Sequence, residues 1–254
     1  MIADSWVYDL LSMVAAWGTS LLSGVVGMGG GLTLIAIMLM YMDYWIVLPV
    51  HGVVQLASNS SRSLFLFRSI HWRYVAEYCV GLIPLGALGL LMIGKTNVVY
   101  IKLFIGGFIL FVVYFPFRRF VWRHPQREFV LAGGLCGFFS MIAGGAGPLL
   151  APFFLEKPLS RESVVSTQAA CQLVTHLMKI VAFGVIWQFP FQEYGTLIIG
   201  MILAVILGTY MGKRILVRNL SEQRFRLIYK IVLTLLALKF LCWDRLRPLL
   251  QPYF

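Results

Sequence analysis

Acidic side chains are almost missing from this chain: ten Asp and Glu stand against 21 Lys and Arg in 254 residues. In the apolar segments they are scarcer still, with Glu77 the main exception, so no acid cluster is on hand to complete a metal site. Cysteine offers no ligand set either. Cys79, Cys136, Cys171 and Cys242 lie in apolar stretches without CxxC spacing and read as small core residues. No nucleotide-binding motif is present, no strand leads into a glycine cluster as a dinucleotide fingerprint requires, and the start (Met1-Ile2-Ala3-Asp4) lacks the basic region of a cleaved signal peptide. No cofactor is expected.

Apolar length is what the chain does have. It is 60% hydrophobic and 12% charged, with mean hydropathy +0.85, which places it among polytopic helical membrane proteins and makes the bilayer its first partner. A span needs roughly 20 apolar residues, so the length allows several crossings and leaves no room for a soluble enzyme domain. The formal charge of +11 lies mostly in short loops, where the positive-inside bias accounts for it, and nucleic acid is not an expected partner. A homodimer is compatible with this composition.

Six full-length segments are legible: 45–67, 74–93, 98–117, 164–187, 194–212 and 227–242. Two further apolar regions, 6–42 and 129–155, are too long for one span, and a glycine stretch breaks each into a long arm and one of about ten residues. Three loops carry the positive charge: Arg68, His71 and Arg73; Arg118, Arg119, Arg123, His124 and Arg127; and Lys213, Arg214, Arg218, Arg224 and Arg226. With these loops cytoplasmic, each broken region begins and ends on one face and must turn back. The expectation is an all-α polytopic membrane protein of two inverted repeats, 1–122 and 123–254, each a broken-helix hairpin plus three transmembrane helices. In the competing arrangement both broken regions cross once as kinked helices. The C-terminal cations Lys239, Arg245 and Arg247 fit the hairpin arrangement poorly.

The hairpin vertices fall at Gly27, Gly29, Gly30 and Gly31, and at Gly144, Gly145, Gly147 and Pro148. Irregular backbone at membrane depth survives only where protein or a watery cavity surrounds it, and glycine allows both the turn and close approach. Pro148 suits the first turn of a helix. Half-helices starting near Leu32 and Pro148 would aim their N-termini, with free N–H groups and positive dipole ends, at the bilayer middle, where transporters hold anionic groups.

A polar stripe follows each vertex. Aligned without gaps, the two stripes pair His51 with Gln168, Gln55 with Gln172, Ser58 with Thr175, Asn59 with His176, and Arg62 with Lys179. At about 100° per residue the five positions share an arc of roughly 100° on each helix. Such a stripe is costly toward lipid and belongs in the bundle interior. Structural glue between helices is the plainer reading of any one of these residues, and Arg62 could snorkel to the surface. Two interior cations without carboxylates on their own helices favour a counter-ion supplied by the substrate, a small anion with several acceptor oxygens. All ten stripe residues are therefore candidate substrate ligands. His51 and His176 are too isolated in sequence to argue for metal, though a proton-coupling role for His176 is open.

The motifs Ser23-Gly24-Val25-Val26-Gly27-Met28-Gly29-Gly30-Gly31-Leu32 and Ser140-Met141-Ile142-Ala143-Gly144-Gly145-Ala146-Gly147-Pro148 resemble the sulfite exporter TauE/SafE family of membrane permeases. The resemblance implies movement of sulfite or organosulfonates across the bacterial inner membrane. A secondary transporter working by alternating access at the repeat interface is the expected function, with a channel for small anions or solutes as the alternative. An intramembrane hydrolase pairing Ser140 with His176 is remote, because no glycine follows the serine as a nucleophile turn requires.

Overall fold

The computed structural model describes residues 5–26, 29–93, 98–115, 127–154 and 157–215, with scattered positions of 227–242. Among them there is no strand. The helices are α1 (Ser5–Val26), α2 (Gly30–Met38), α3 (Tyr44–Phe65), α4 (Trp72–Ile93), α5 (Val98–Tyr114), α6 (Glu128–Ala143), α7 (Gly147–Leu150), α8 (Arg161–Val181) and α9 (Gly195–Ile215). The described positions of 227–242 are helical as well. Gly27, most of the second and third basic loops, and the C-terminal cations Lys239, Arg245 and Arg247 lie outside the described residues.

Each stripe-bearing helix starts at a side-chain cap. Asp43 accepts from Trp45 N at 2.8 Å at the head of α3, and Ser160 accepts from Ser163 N at 3.2 Å at the head of α8. Three described helices are long and apolar enough to cross a membrane: Trp72–Ile93, Glu162–Ile186 and Phe191–Gly212. α3 has the same length, but its second half, Ser58 to Arg62, is polar and turns inward. The outward faces are apolar, with Val80, Ile83 and Leu91 of α4 and Ile199 and Leu203 of α9 exposed. A water-soluble monomer rarely shows so much contiguous apolar surface. The chain is a multi-pass helical membrane protein.

Both broken regions turn back on themselves. Tyr41, just past α2, stacks on Tyr8 near the start of α1 with ring centroids 5.6 Å apart, and its hydroxyl lies 3.1 Å from Ser12 Oγ. In the second region the Phe154 ring packs on Phe129 at 5.0 Å, and Lys157 Nζ lies 3.0 Å from Glu128 Oε2. Each region ends beside its own beginning.

The two turns are built differently. Left-handed backbone falls at Gly29 (φ 92°) and Gly144 (φ 79°), where any side chain would be strained. At Gly30 a side chain would run into Thr19 O and the Ser23 side chain. Gly147 has room instead, since its nearest neighbour, Gln172 Oε1, would stand 3.7 Å from an added Cβ. The expected second half-helix is also shorter than its sequence suggests. α7 is one α-turn, followed by a 3₁₀ turn over Ala151–Phe154. Pro152 has no N–H to continue the i→i−4 ladder, which favours the tighter turn. Only α2 is long enough to bring a substantial dipole to the middle.

Packing runs between the two halves of the chain. The first arm of each broken region lies against the second unbroken helix of the other half: α6 on α4, and α1 on α9. Close approach requires glycine at both contacts, because a Cβ at Gly81 would strike Val130 O and one at Gly212 would strike Leu21 O. α3 and α8 cross antiparallel. Trp45 stacks on Trp187 at 4.7 Å, Gly52 lies against Lys179 and Ile180, and beyond the far end of α3 His71 N donates to Thr167 Oγ1 at 3.0 Å.

Substituting Gly30 and Gly147 should separate the two turns. Gly30→Ala is expected to destabilise by about 1–3 kcal/mol through overpacking, and Gly147→Ala by much less. Thermal unfolding of the detergent-purified variants checks this, and equal losses would show that the second turn is as crowded as the first.

Candidate functional site

A cavity of about 30 Å³ opens where the two turns meet the two striped helices. That is room for a couple of waters or one small headgroup. Its lining takes Ser23 from α1, Gly29 to Leu32 from the first turn, Gly145, Gly147 and Pro148 from the second, and stripe residues from both α3 and α8.

The stripes divide. His51, Gln55, Asn59 and Arg62 of α3 and Gln168, Gln172 and His176 of α8 line the cavity, while Ser58, Thr175 and Lys179 do not. Thr175 Oγ1 bonds back to Cys171 O at 3.0 Å and meets the Tyr78 hydroxyl at 2.7 Å. Ser58 Oγ lies 3.4 Å from Arg62 Nη2. Both hydroxyls serve contacts within or between helices, the ordinary structural role of such groups in a bundle.

Arg62 is the one charged side chain among the described lining residues. Its Nη2 donates to Asn59 Oδ1 at 2.9 Å, and Asn59 is itself held by its Nδ2 donating to Gln55 O at 2.8 Å. These bonds hold the guanidinium against its neighbours on α3. The one spanning acid singled out from the sequence, Glu77, pairs with Arg73 at 3.0 Å, outside the cavity.

Lys179 is fully buried, and its Nζ donates to Gly144 O at 2.6 Å. Gly144 closes the C-terminus of α6, where carbonyls lack intrahelical partners and the helix dipole is negative. The ammonium is matched there by the protein. Because α3 and α8 are antiparallel and Gly52 stands level with Lys179, Arg62 is ten residues further along, about 15 Å at 1.5 Å per residue. The two cations do not flank one space.

Two more stripe residues hold the turns. His51 Nε2 lies 2.8 Å from Gly31 O, and Gln168 Nε2 donates to Gly147 O at 3.2 Å. The His51 and His176 rings stand 5.8 Å apart at 72°, brought together from positions 125 residues apart in the chain. Among the described residues no group of three or more His, Cys, Asp or Glu could hold a metal ion. Ser140 Oγ has no hydrogen-bond partner, so it does not engage His176 as a nucleophile would.

Tyr78 of α4 is the residue the sequence did not flag. It is fully buried, and besides Thr175 its hydroxyl accepts from Gln172 Nε2 at 3.4 Å, fixing a lining amide from behind. In the sequence it is one of two tyrosines near the start of α4, and nothing there sets it apart from Tyr74.

A multi-pass helical protein with a polar cavity, whose described lining holds one cation and no acid, fits a membrane transporter of anions. The chain belongs to the sulfite exporter TauE/SafE family, whose model matches residues 12–240. Members of that family are membrane transporters of sulfite-type anions rather than enzymes. No curated protein and no solved structure matches the chain.

Lys179→Met should act mainly on stability. Removing the ammonium leaves Gly144 O buried and unpaired, with an expected cost of about 1–3 kcal/mol. Thermal unfolding checks this; an unchanged midpoint together with lost anion binding would return Lys179 to the ligand set.

Proposed function

We propose that this protein is a secondary transporter of small sulfur-containing oxyanions, such as sulfite or organosulfonates, in the bacterial inner membrane. The observation that carries the proposal is the shared cavity, to which both turns and both stripes contribute and in which Arg62 supplies the positive charge. The oxyanion would sit against Arg62 and Asn59, with Gln55, Gln172, Gln168, His51 and His176 as neutral partners. The N-terminus of α2 adds the same sign of field. Ser58, Thr175 and Lys179 act as supports in this reading, and Gly29, Gly30, Gly31, Gly145, Gly147 and Pro148 as the backbone against which the anion packs.

Alternating access is supported by the packing. In this reading residues 1–122 and 123–254 are the two repeats, and the antiparallel run of α3 and α8 across the site supports their inversion. Each repeat lends its first arm to the other, so rocking one against the other would expose the same cavity to either side.

A binding screen of sulfite, sulfate, thiosulfate, sulfonates and carboxylates against purified protein tests the substrate class. Arg62→Ala should weaken oxyanion binding at least tenfold, since a hydrogen bond to a charged group contributes roughly 1.5–3 kcal/mol. Unchanged affinity in that variant would remove the site. Counterflow in proteoliposomes tests the mode, because trans-stimulated exchange is expected of a carrier and not of a channel.

A further inference from the structure

The two stripes make the same bond on opposite sides of the cavity with two different groups. A carbonyl only accepts, so the contact of His51 Nε2 with Gly31 O places the ring hydrogen on Nε2 and leaves the lone pair of the neutral ring on Nδ1. Gln168, the aligned residue of the other helix, donates its amide N–H to Gly147 O and leaves Oε1. His51 Nδ1 and Gln168 Oε1 are both buried, and neither has a hydrogen-bond partner. Buried polar atoms are seldom left so. Each turn is thus held by a donor whose acceptor end stays in reserve, and only the imidazole can take a proton.

We propose that the anion crosses together with one proton, and that His51 Nδ1 carries it. This rests on the anion-transport reading above. A lone anion moving through the membrane works with or against the full transmembrane voltage, whereas an anion with a proton moves no net charge. The described lining holds no carboxylate that could carry the proton instead. The groups that face His51 are His176 and Lys179 of α8 and Arg62 of its own helix. α2 brings no titratable side chain, and α9 offers only the exposed Tyr210 among its described side chains. Tyr78, Cys136 and Cys171 are the next titratable groups. Lys179 is bound to Gly144 O and Arg62 to Asn59, which leaves the two imidazoles, and His51 is the one whose tautomer its hydrogen bond fixes. The proton enters from bulk water on the side where the cavity is open and leaves to bulk water on the other.

Proteoliposomes of the full-length wild type, loaded with a pH-sensitive dye and given methanesulfonate, provide the test. Methanesulfonate stays ionised, so any proton that accompanies it travels on the protein. The expected result is one proton taken up per anion, at a rate indifferent to a potassium–valinomycin potential. Uptake without proton movement, or uptake driven by the potential, overturns the proposal and leaves anion transport standing. Where sulfite is taken up and methanesulfonate is not, the count is repeated with sulfate, which also stays ionised, and its uptake without a proton overturns the assignment to His51. Absence of uptake of either anion removes the transport reading, and this proposal with it. His51→Gln copies the group found in the other half. It should reduce accumulation driven by a pH gradient at least tenfold more than anion-for-anion exchange. An equal loss of both overturns the role of His51. The wild-type measurements decide the coupling whether or not the variant folds.

Discussion

Backbone carbonyls released where a helix breaks inside a membrane have to be met by the protein, and the rest of this structure follows from how they are met. Three carbonyls of the turns accept from side chains of the two striped helices, Gly31 O from His51, Gly147 O from Gln168 and Gly144 O from Lys179, and of these only Gly144 ends a helix. Gly144 O would otherwise lack a partner, at a cost of several kcal/mol in a low-dielectric medium, whereas Gly31 and Gly147 open α2 and α7 and their side-chain bonds pin the start of each second arm. The helices that satisfy the turns therefore have to stand beside them. That requirement brings α3 and α8 together at the centre and closes the cavity between them. The polar stripes are structural before they are functional, and the site is built from what the carbonyls leave unused.

The described lining of the cavity holds no acid. Asn59, itself held by Gln55, and Ser58 contact Arg62 through dipoles that carry no net charge. Lys179 is held at the carbonyl end of α6 and does not line the cavity, so it offers the anion no direct contact there. A guanidinium in a small cavity without a carboxylate is selective by charge first and by shape second, since a planar fork of donors matches two oxygens of one oxyanion.

How much of this was legible in the sequence depended on what each feature required. The all-helical, membrane-spanning character was readable because long apolar segments and loop charge are visible in one dimension, and neither depends on packing. The stripe was readable because a polar residue at every aligned position is visible in one dimension. Which stripe residues reach the cavity was not, because Ser58 and Thr175 differ from their neighbours only in the partners that other helices bring, Tyr78 above all. The same limit hid the crowding at Gly30 and the room at Gly147. Both are glycines in glycine-rich turns, yet one lies against the Thr19 carbonyl of α1 and the other only near a lining amide.

Alignment of the stripes also suggested that equivalent residues would be neighbours in space, and the antiparallel crossing explains why Arg62 and Lys179 are not. In two antiparallel helices, a residue late on one faces a residue early on the other, as Trp45 does Trp187 and His51 does His176. Only positions near the crossing can share a ligand with their own equivalents. Arg62 and Lys179 are the last members of their stripes, so the same geometry that makes them equivalent sends them to opposite ends. Their chemistry suits the two places: an arginine in the cavity lining, where a fork of donors can grip an oxyanion, and a lysine reaching a single carbonyl, for which a point charge on a flexible stem is enough.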